Sequence, residues 1–301
     1  MKKILFVLFI FIYALGFSQI DKLNSKEPLV KEPYFKKETN VAVQPGQKVR
    51  FIHSDLFERK PDMYGGNPFF TGNVQFEHQG AMLTADRVIF YEKENFAKAI
   101  GNVLLVTSDG NRITSNEMEY DGNTQRGIAR GKVVLTDAKQ TISTDVLYYD
   151  RVKNTAYFNS GGTINDGRNT MWTQSATYFI DSKTNEFTNN YTIDNAQYRV
   201  EGKNIKHYQN TNIAEFFGPT TIINKEKPSN YVYTENGKYL MTEKQVYLNK
   251  NSRIYYNGKI LKGDKMFFNQ LTGFGKAEGN VRLDDPKENR YIIGGYGEIY
   301  E

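Results

Sequence analysis

His53, His78 and His207 are the three histidines of a 301-residue chain, and no two of them stand at a spacing that would let them share a metal ion. Zinc chemistry and imidazole catalysis are therefore not expected. Cysteine is absent, which removes disulfides, thiolate metal sites, cysteine nucleophiles and a lipid-modified cysteine anchor together. A second candidate set is Asp86, Asn116 and Asp145, which recur about every 30 residues. Stacked carboxylates could serve a polysaccharide-active enzyme as paired acids. A polar residue repeated just ahead of an apolar pair more often shapes the backbone, and we read these three as structural. Trp172, the sole tryptophan, is expected in a half-buried core position rather than stacked on a ligand. Arg130 and Lys132 could meet phosphates, yet on strand faces such side chains are usually only solvated. No catalytic residue, metal ligand or cofactor is expected.

The elements that would position these residues come from an internal repeat. Gly-Asn-Val occurs at Gly72-Asn73-Val74, Gly101-Asn102-Val103 and Gly279-Asn280-Val281, with weaker echoes at Gly131-Lys132-Val133, Gly161-Gly162-Thr163 and Gly218-Pro219-Thr220. The step is about 30 residues, and two further anchors, near Asn190 and Leu248, have lost the glycine. A second segment recurs inside each unit: Leu83 to Tyr91, Ile113 to Asp121, Ile142 to Asp150 and Leu261 to Asn269. Apolar residues alternate along it, so one face of a strand carries Val88 and Phe90, Met118 and Tyr120, Leu147 and Tyr149, Tyr178 and Ile180, or Met266 and Phe268. The anchor segment alternates too, with Val74 and Phe76, Val103 and Leu105, Val133 and Leu135, and Val281 and Leu283 sharing a side. Opposite faces carry residues such as Arg87, Glu117 and Glu119, as expected where a sheet meets water.

Each unit thus supplies two strands. Turns are expected at His78-Gln79-Gly80, Ser108-Asp109-Gly110, Asp121-Gly122-Asn123 and Asn257-Gly258. Seven to eight units give about fifteen antiparallel strands in succession, too many for one flat sheet. The expected fold is all-β: an elongated antiparallel jellyroll or taco of two-strand repeats, apolar faces inward, an edge strand exposed at each end.

The ends of the chain read differently. Met1-Lys2-Lys3 is basic and Ile4 to Phe17 is an uninterrupted apolar or small run, shorter than a comfortable bilayer span. With Gly16-Phe17-Ser18 at its end, residues 1–18 read as a signal peptide cleaved before Gln19, the alternative being a retained membrane anchor. Residues 19–46, with Lys26-Glu27-Pro28 and Lys31-Glu32-Pro33, read as a flexible leader, and 47–301 as the repeat domain. The net charge is only +5, which argues against nucleic acid as a partner. The last unit, ending Tyr296-Gly297-Glu298-Ile299-Tyr300-Glu301, stops inside its second strand: either the natural chain continues or this edge is a docking surface.

Taken together, Gly-Asn-Val, a strand with Ala85-Asp86, Asn116 or Asp145 ahead of an apolar-x-Tyr-Asp ending, and Ala99-Ile100-Gly101 or Ala129-Arg130-Gly131 leading into the next unit resemble the OstA/LptA-like proteins of lipopolysaccharide transport. Ile52-His53-Ser54-Asp55 and Phe76-Glu77-His78 are similar to the start of the OstA-like N-terminal domain. The resemblance covers about residues 47 to 301 and is diluted between about 190 and 250. It implies a periplasmic, non-enzymatic protein, exported and in contact with the outer-membrane pathway, that shelters lipopolysaccharide acyl chains in an apolar trough. The trough would be lined by Val74, Phe76, Val88, Phe90, Val103, Leu105, Met118, Tyr120, Val133, Leu135, Leu147, Tyr149, Tyr178, Ile180, Met266 and Phe268. Implied partners are lipopolysaccharide and, through edge-strand pairing, other transport proteins or a second copy. The rival is a structural or adhesin-like β-solenoid without lipid cargo; a β-helical polysaccharide lyase is a more distant third, since a parallel β-helix would show shorter rungs of three strands.

Overall fold

Segments of ten to twelve residues rich in Val, Ile, Tyr and Phe and punctuated by Gly, Asn and Asp can only satisfy their backbone groups by pairing with neighbours. In the computed structural model, which describes residues 48–269 and 271–300, they do so as one 21-stranded antiparallel sheet. The expected signal peptide and leader lie outside the described residues. Four ladder positions are each split into two half-strands: Arg50–His53 with Leu56–Glu58, Thr155–Phe158 with Gly162–Asn165, Gln245–Lys250 with Ser252–Tyr256, and Lys259–Gly263 with Lys265–Asn269. The 21 segments therefore make 17 successive full-length positions, two more than the fifteen anticipated. Each pairs with the next in sequence, from Phe69–His78 and Ala81–Tyr91 through to Phe274–Asp285 and Arg290–Ile299.

The Gly-Asn-Val anchors lie in the middle of strands, where the register slips. The ladder is interrupted between Thr71 and Val74, between Ile100 and Val103, between Arg130 and Val133, and between Glu278 and Val281. At each, two consecutive residues take the left-handed conformation, for example Gly101 at φ 79° and Asn102 at φ 43°. Asn189 and Asn190, at φ 62° and 74°, do the same where the glycine is lost. Bulges of this kind bend a strand sharply. Recurring on alternate strands, they form a spine about which the sheet folds over.

Bonds between opposite strand ends give the folding away. His78 sits at one end of its strand, one residue beyond the level of Arg112, whereas Tyr120 sits near the far end of Arg112–Asp121. In a flat sheet they would be a full strand length apart, yet His78 Nδ1 and the Tyr120 hydroxyl are 2.8 Å apart. The two rims of the sheet have met.

One rim is built from four-residue turns whose left-handed residue recurs at Asn95, Gln125, Asn154, Lys183, Asn212 and Lys244. The carbonyl of each of the first five accepts the backbone N–H of the next turn: Gly122, Arg151, Ile180, Gln209 and Met241 donate at 2.8 to 3.0 Å. This turn-to-turn ladder is the physical meaning of the 30-residue period. The other rim carries Gln79-Gly80 and Asn257-Gly258, left-handed at both residues as a tight hairpin demands.

Candidate functional site

The recurring acids are part of the spine. Asp86 Oδ2 accepts from Asn102 Nδ2 at 2.9 Å, Asp55 from Asn73 at 2.9 Å, and Asp264 from Asn280 at 2.8 Å. Each carboxylate lies against the neighbouring bend so closely that a Cβ on Gly101 would stand 2.5 Å from Asp86 Oδ2, and Asn116 covers Gly131 in the same way. Where the bend has changed, as beside Asp145, a hydroxyl takes over: Thr144 donates to the Gly161 carbonyl at 2.7 Å and Thr173 to that of Asn190 at 2.9 Å. Asp86 and Asn116 thus hold corners, as their placement ahead of an apolar pair suggested, whereas Asp145 is exposed beside a corner held by Thr144.

His53 pairs with Gln75 on the strand that ends at His78, His207 lies many strands away, and no cluster of three or more metal-binding side chains exists among the described residues. His53 is an exposed neighbour of Asp55 at 3.6 Å. His207 is buried, and desolvation holds its imidazole below the ordinary value, with Asp166 opposing and Lys139 assisting. Arg130 pairs with Glu119 at 3.2 Å, while Lys132 is itself a bend residue at φ 51°. Trp172 departs from expectation: on the outer face between Thr163 and Thr192, it is 45% exposed. The repeat explains why, since Met171, not Trp172, falls on the inward period.

All sixteen residues assigned to the interior do face inward. Fourteen are buried, and Phe90 and Phe268 are half-buried. Pair by pair, the registers join them into rows running across the strands. One row reads Phe76, Leu83, Leu105, Ile113, Leu135, Ile142, Ile164, Met171, Ile193, Val200, Ile222, Val232, Ile254, Leu261, Leu283, Ile292, without a polar interruption. In the opposing layer a row alternates large and small: Phe90, Ala97, Tyr120, Gly127, Tyr149, Ala156, Tyr178. Rings on adjacent strands about 4.8 Å apart would crowd one another, and the small residues between them let the layer close.

Closure is not uniform along the molecule. From Phe76 to Met171 the aliphatic row is 0 to 6% exposed. From Ile193 to Leu283 it is half-buried throughout, and it ends on Ile292 at 64% exposure. Between 78 and 210 the two rims are tied. Arg151 Nη1 donates to the His78 carbonyl at 2.8 Å. The Tyr178 hydroxyl donates to Asp137, whose side chain is fully buried and also takes Lys183 Nζ at 3.2 Å and the N–H groups of Lys139 and Gln140 at 2.7 and 2.9 Å. Burial pushes the Asp137 carboxyl up, but these four donors outweigh it and hold it below the usual carboxylate range. Burial, followed by the bond to Asp137, raises the Tyr178 phenol well above its ordinary value, so it stays a donor. Asn185 Nδ2 donates to Gln140 Oε1 at 2.8 Å, with Gln209 on the same oxygen, and Lys139 reaches Asn210 at 3.0 Å.

This polar fastening escaped the sequence reading. Its signal was Asn185 and His207, polar residues at the inward positions that continue the row of Phe90 and Tyr178. Their chemistry is visible in the sequence, but Gln140, the partner of Asn185 and of Gln209, lies 45 and 69 residues away across the fold, and His207 Nδ1 is buried without a hydrogen-bond partner among the described residues.

Fold and interior together define a class: a folded-over antiparallel β-jellyroll with a continuous apolar inner surface. The chain belongs to the OstA-like protein family, which it matches over residues 46–203. Residues 173–289 match the lipopolysaccharide-assembly, LptC-related family. Among solved structures the chain is similar to LptH of Pseudomonas aeruginosa, described as the LptA-homologous periplasmic component of the conserved lipopolysaccharide transport device. The identity is 13%, over 37% of this chain and 85% of that one, with a TM-score of 0.34. No curated protein matches.

Proposed function

We propose that this protein is a periplasmic carrier of lipopolysaccharide, sheltering acyl chains against its inner surface and passing them toward the outer membrane without catalysing a reaction. The observation that supports this most is the unbroken aliphatic row, which crosses every strand from Phe76 to Ile292. Each methylene removed from water contributes about 0.8 kcal/mol, so a whole acyl chain is worth on the order of 10 kcal/mol. A surface meant for such a guest must be apolar without gaps, because a single buried unpaired polar group would cost about 1–3 kcal/mol. Strands Arg50–His53 with Leu56–Glu58 and Arg290–Ile299 each have one neighbour among the described residues and expose Phe51, Phe57, Ile292 and Ile293. Either could accept a strand of a transport partner or a second copy.

The cargo-free reading, a structural envelope protein, draws its support from the tight packing between Phe76 and Met171. Gentle, detergent-free purification from envelopes followed by mass spectrometry of the extract separates the two. Lipid A recovered in near-stoichiometric amount supports the carrier; a preparation free of lipid A refutes it.

A further inference from the structure

The carrier reading leaves open where along 17 strands a guest would sit, and the uneven closure supplies an answer. Through Met171 the aliphatic row is sealed, with the rims fastened at Asp137, Arg151 and Gln140. A guest there would have to displace well-packed side chains and part buried charge-assisted bonds. Beyond Ile193 the same row continues, half-exposed; the main buried core reaches on to Ile205, Ala214 and Phe216, and past it the buried cluster among the described residues is the small one of Leu248, Met266, Ala277 and Val281.

Charge follows the same division. Between Lys225 and Arg290 there are thirteen Lys and Arg against eight Asp and Glu, an excess of five that equals the net +5 of the whole chain. Everything outside that stretch is neutral in sum. Several of these cations cluster on consecutive turns of one rim: Lys225 and Lys227 on the first, Lys259 beside the second, Lys287 and Arg290 on the third; of these Lys225 is paired with Asp194 at 2.5 Å, and Lys259 and Arg290 share Asp285 at 3.0 and 3.4 Å. Lys227 Nζ bridges to Asn257 Oδ1 at 2.5 Å, which brings the first two turns together. The outer faces of the same strands carry cation–aromatic pairs, Lys238 over Tyr247 at 4.9 Å and Arg282 over Tyr291 at 4.4 Å, the composition found where protein meets an apolar–aqueous boundary.

We infer that the stretch from Ile222 to Ile292 is the receiving site for one anionic amphiphile, its acyl chains along the row Val232, Ile254, Leu261 and Leu283 and its phosphates at the rim of Lys227 and Lys287, with Lys259 exchanging Asp285 for a phosphate. The stretch from Phe76 to Met171 is a closed spacer. This rests on the carrier reading, but it assigns the guest to one end of the molecule. An apolar floor with a basic rim matches a lipid whose headgroup carries phosphate and disfavours a neutral lipid.

The test places a photo-crosslinking amino acid in the full-length chain, in living cells, at position 254 or 261 in the open stretch and at 113 or 135 in the closed one. Crosslinks to lipopolysaccharide are expected at 254 and 261, at least tenfold above those at 113 and 135. Because a bulky probe at 113 or 135 could disturb folding, amide hydrogen exchange of the unmodified protein with and without lipopolysaccharide supplies the second measurement. Added lipid should slow exchange in strands Tyr231–Leu240 and Phe274–Asp285 and leave Phe96–Val106 and Arg126–Thr136 unchanged. Equal crosslinking and protection in both halves would overturn the receiving site while leaving the carrier intact; no crosslink and no protection anywhere would bring down the carrier reading itself. Replacing Lys227, Lys259 and Lys287 by Gln should lower the crosslinks at 254 and 261 severalfold, and an undiminished yield would remove the role of the rim.

Discussion

Tyr178→Phe isolates the fastening between the rims with almost no change in shape. The ring, 1% exposed, stays in the interior, and only the hydroxyl that donates to Asp137 is lost. Asp137 keeps Lys183 at 3.2 Å and the two backbone N–H groups at 2.7 and 2.9 Å, so the carboxylate remains charged with three of its four donors. A hydrogen bond to a buried charge contributes about 1.5–3 kcal/mol. At about 1.4 kcal/mol per factor of ten, local opening at this rim should become roughly tenfold to a hundredfold more frequent. Native-state amide exchange reads that directly. Amides of the two turns that the fastening joins, Lys139 and Gln140 on one rim and Gln209 on the other, are exposed to water when the rims part and should exchange faster by up to that factor, while amides within Arg126–Thr136 should change far less. If those amides are unaffected, the bond contributes nothing to closure. If every amide in the sheet accelerates equally, the hydroxyl supports global stability and the rims are not a separate opening unit.

Other outcomes follow from the same geometry. Leu135→Ala removes three heavy atoms from a site with no exposure and should cost about 2–5 kcal/mol in urea unfolding, since neighbouring strands cannot collapse into the void. Gly101→Ala places a Cβ 2.5 Å from Asp86 Oδ2 at φ 79° and should destabilise by about 1–3 kcal/mol, whereas Gly131→Ala should do the same at the next bend and identify the spine as repeated. His207 is buried with its proton affinity lowered, so the unfolded chain takes up the proton first: stability should be level above about pH 6.5 and decline as pH falls below it. A His207→Phe chain that keeps the same slope in thermal melts would show that another group is responsible. Ile293→Lys on the edge strand should reduce self-association measured by sedimentation without changing the circular dichroism spectrum; an unchanged distribution would remove this edge from consideration.

Strand class, period and inward face were all legible in the sequence, because period-two alternation and turn chemistry are local properties. Val74 and Phe76, or Met118 and Tyr120, announce their side of the sheet within three residues. The meaning of Gly-Asn was less accessible. The pair serves equally well in a hairpin turn or a bulge, and only the pairing of Thr71 with Arg87 and Val74 with Ala85 shows that it bends a continuing strand. Trp172 was misjudged for a related reason. A half-buried core place was expected for it, but parity decides its face: Met171 pairs inward with Ile193, and Trp172 pairs outward with Thr192. The rim fastening was invisible for a different reason again. Asp137 lies in a turn, where acids are common for their own backbone bonds, and it does make those bonds with Lys139 and Gln140. Nothing local marks it as the partner of a tyrosine 41 residues on.

The same repeat can build a sealed segment or an open one, and the difference lies in which residues alternate. Where Tyr120, Gly127, Tyr149, Ala156 and Tyr178 succeed one another, rings fill the space between layers and hydroxyls reach the opposite rim. Continuing the row, Tyr239, Val246, Phe268 and Gly275 break the strict order, and only Gly275 of the four is buried. The change from a buried to a half-buried aliphatic row falls between Met171 and Ile193, within or beside residues 173–203, where the match to the OstA-like family and the match to the LptC-related family overlap. A chain that keeps one backbone repeat while two family patterns meet within it has changed its side chains, not its fold. The backbone ladder carries the architecture from end to end, which frees the inward positions to vary, and a carrier needs that freedom: rigidity in one stretch, room in another.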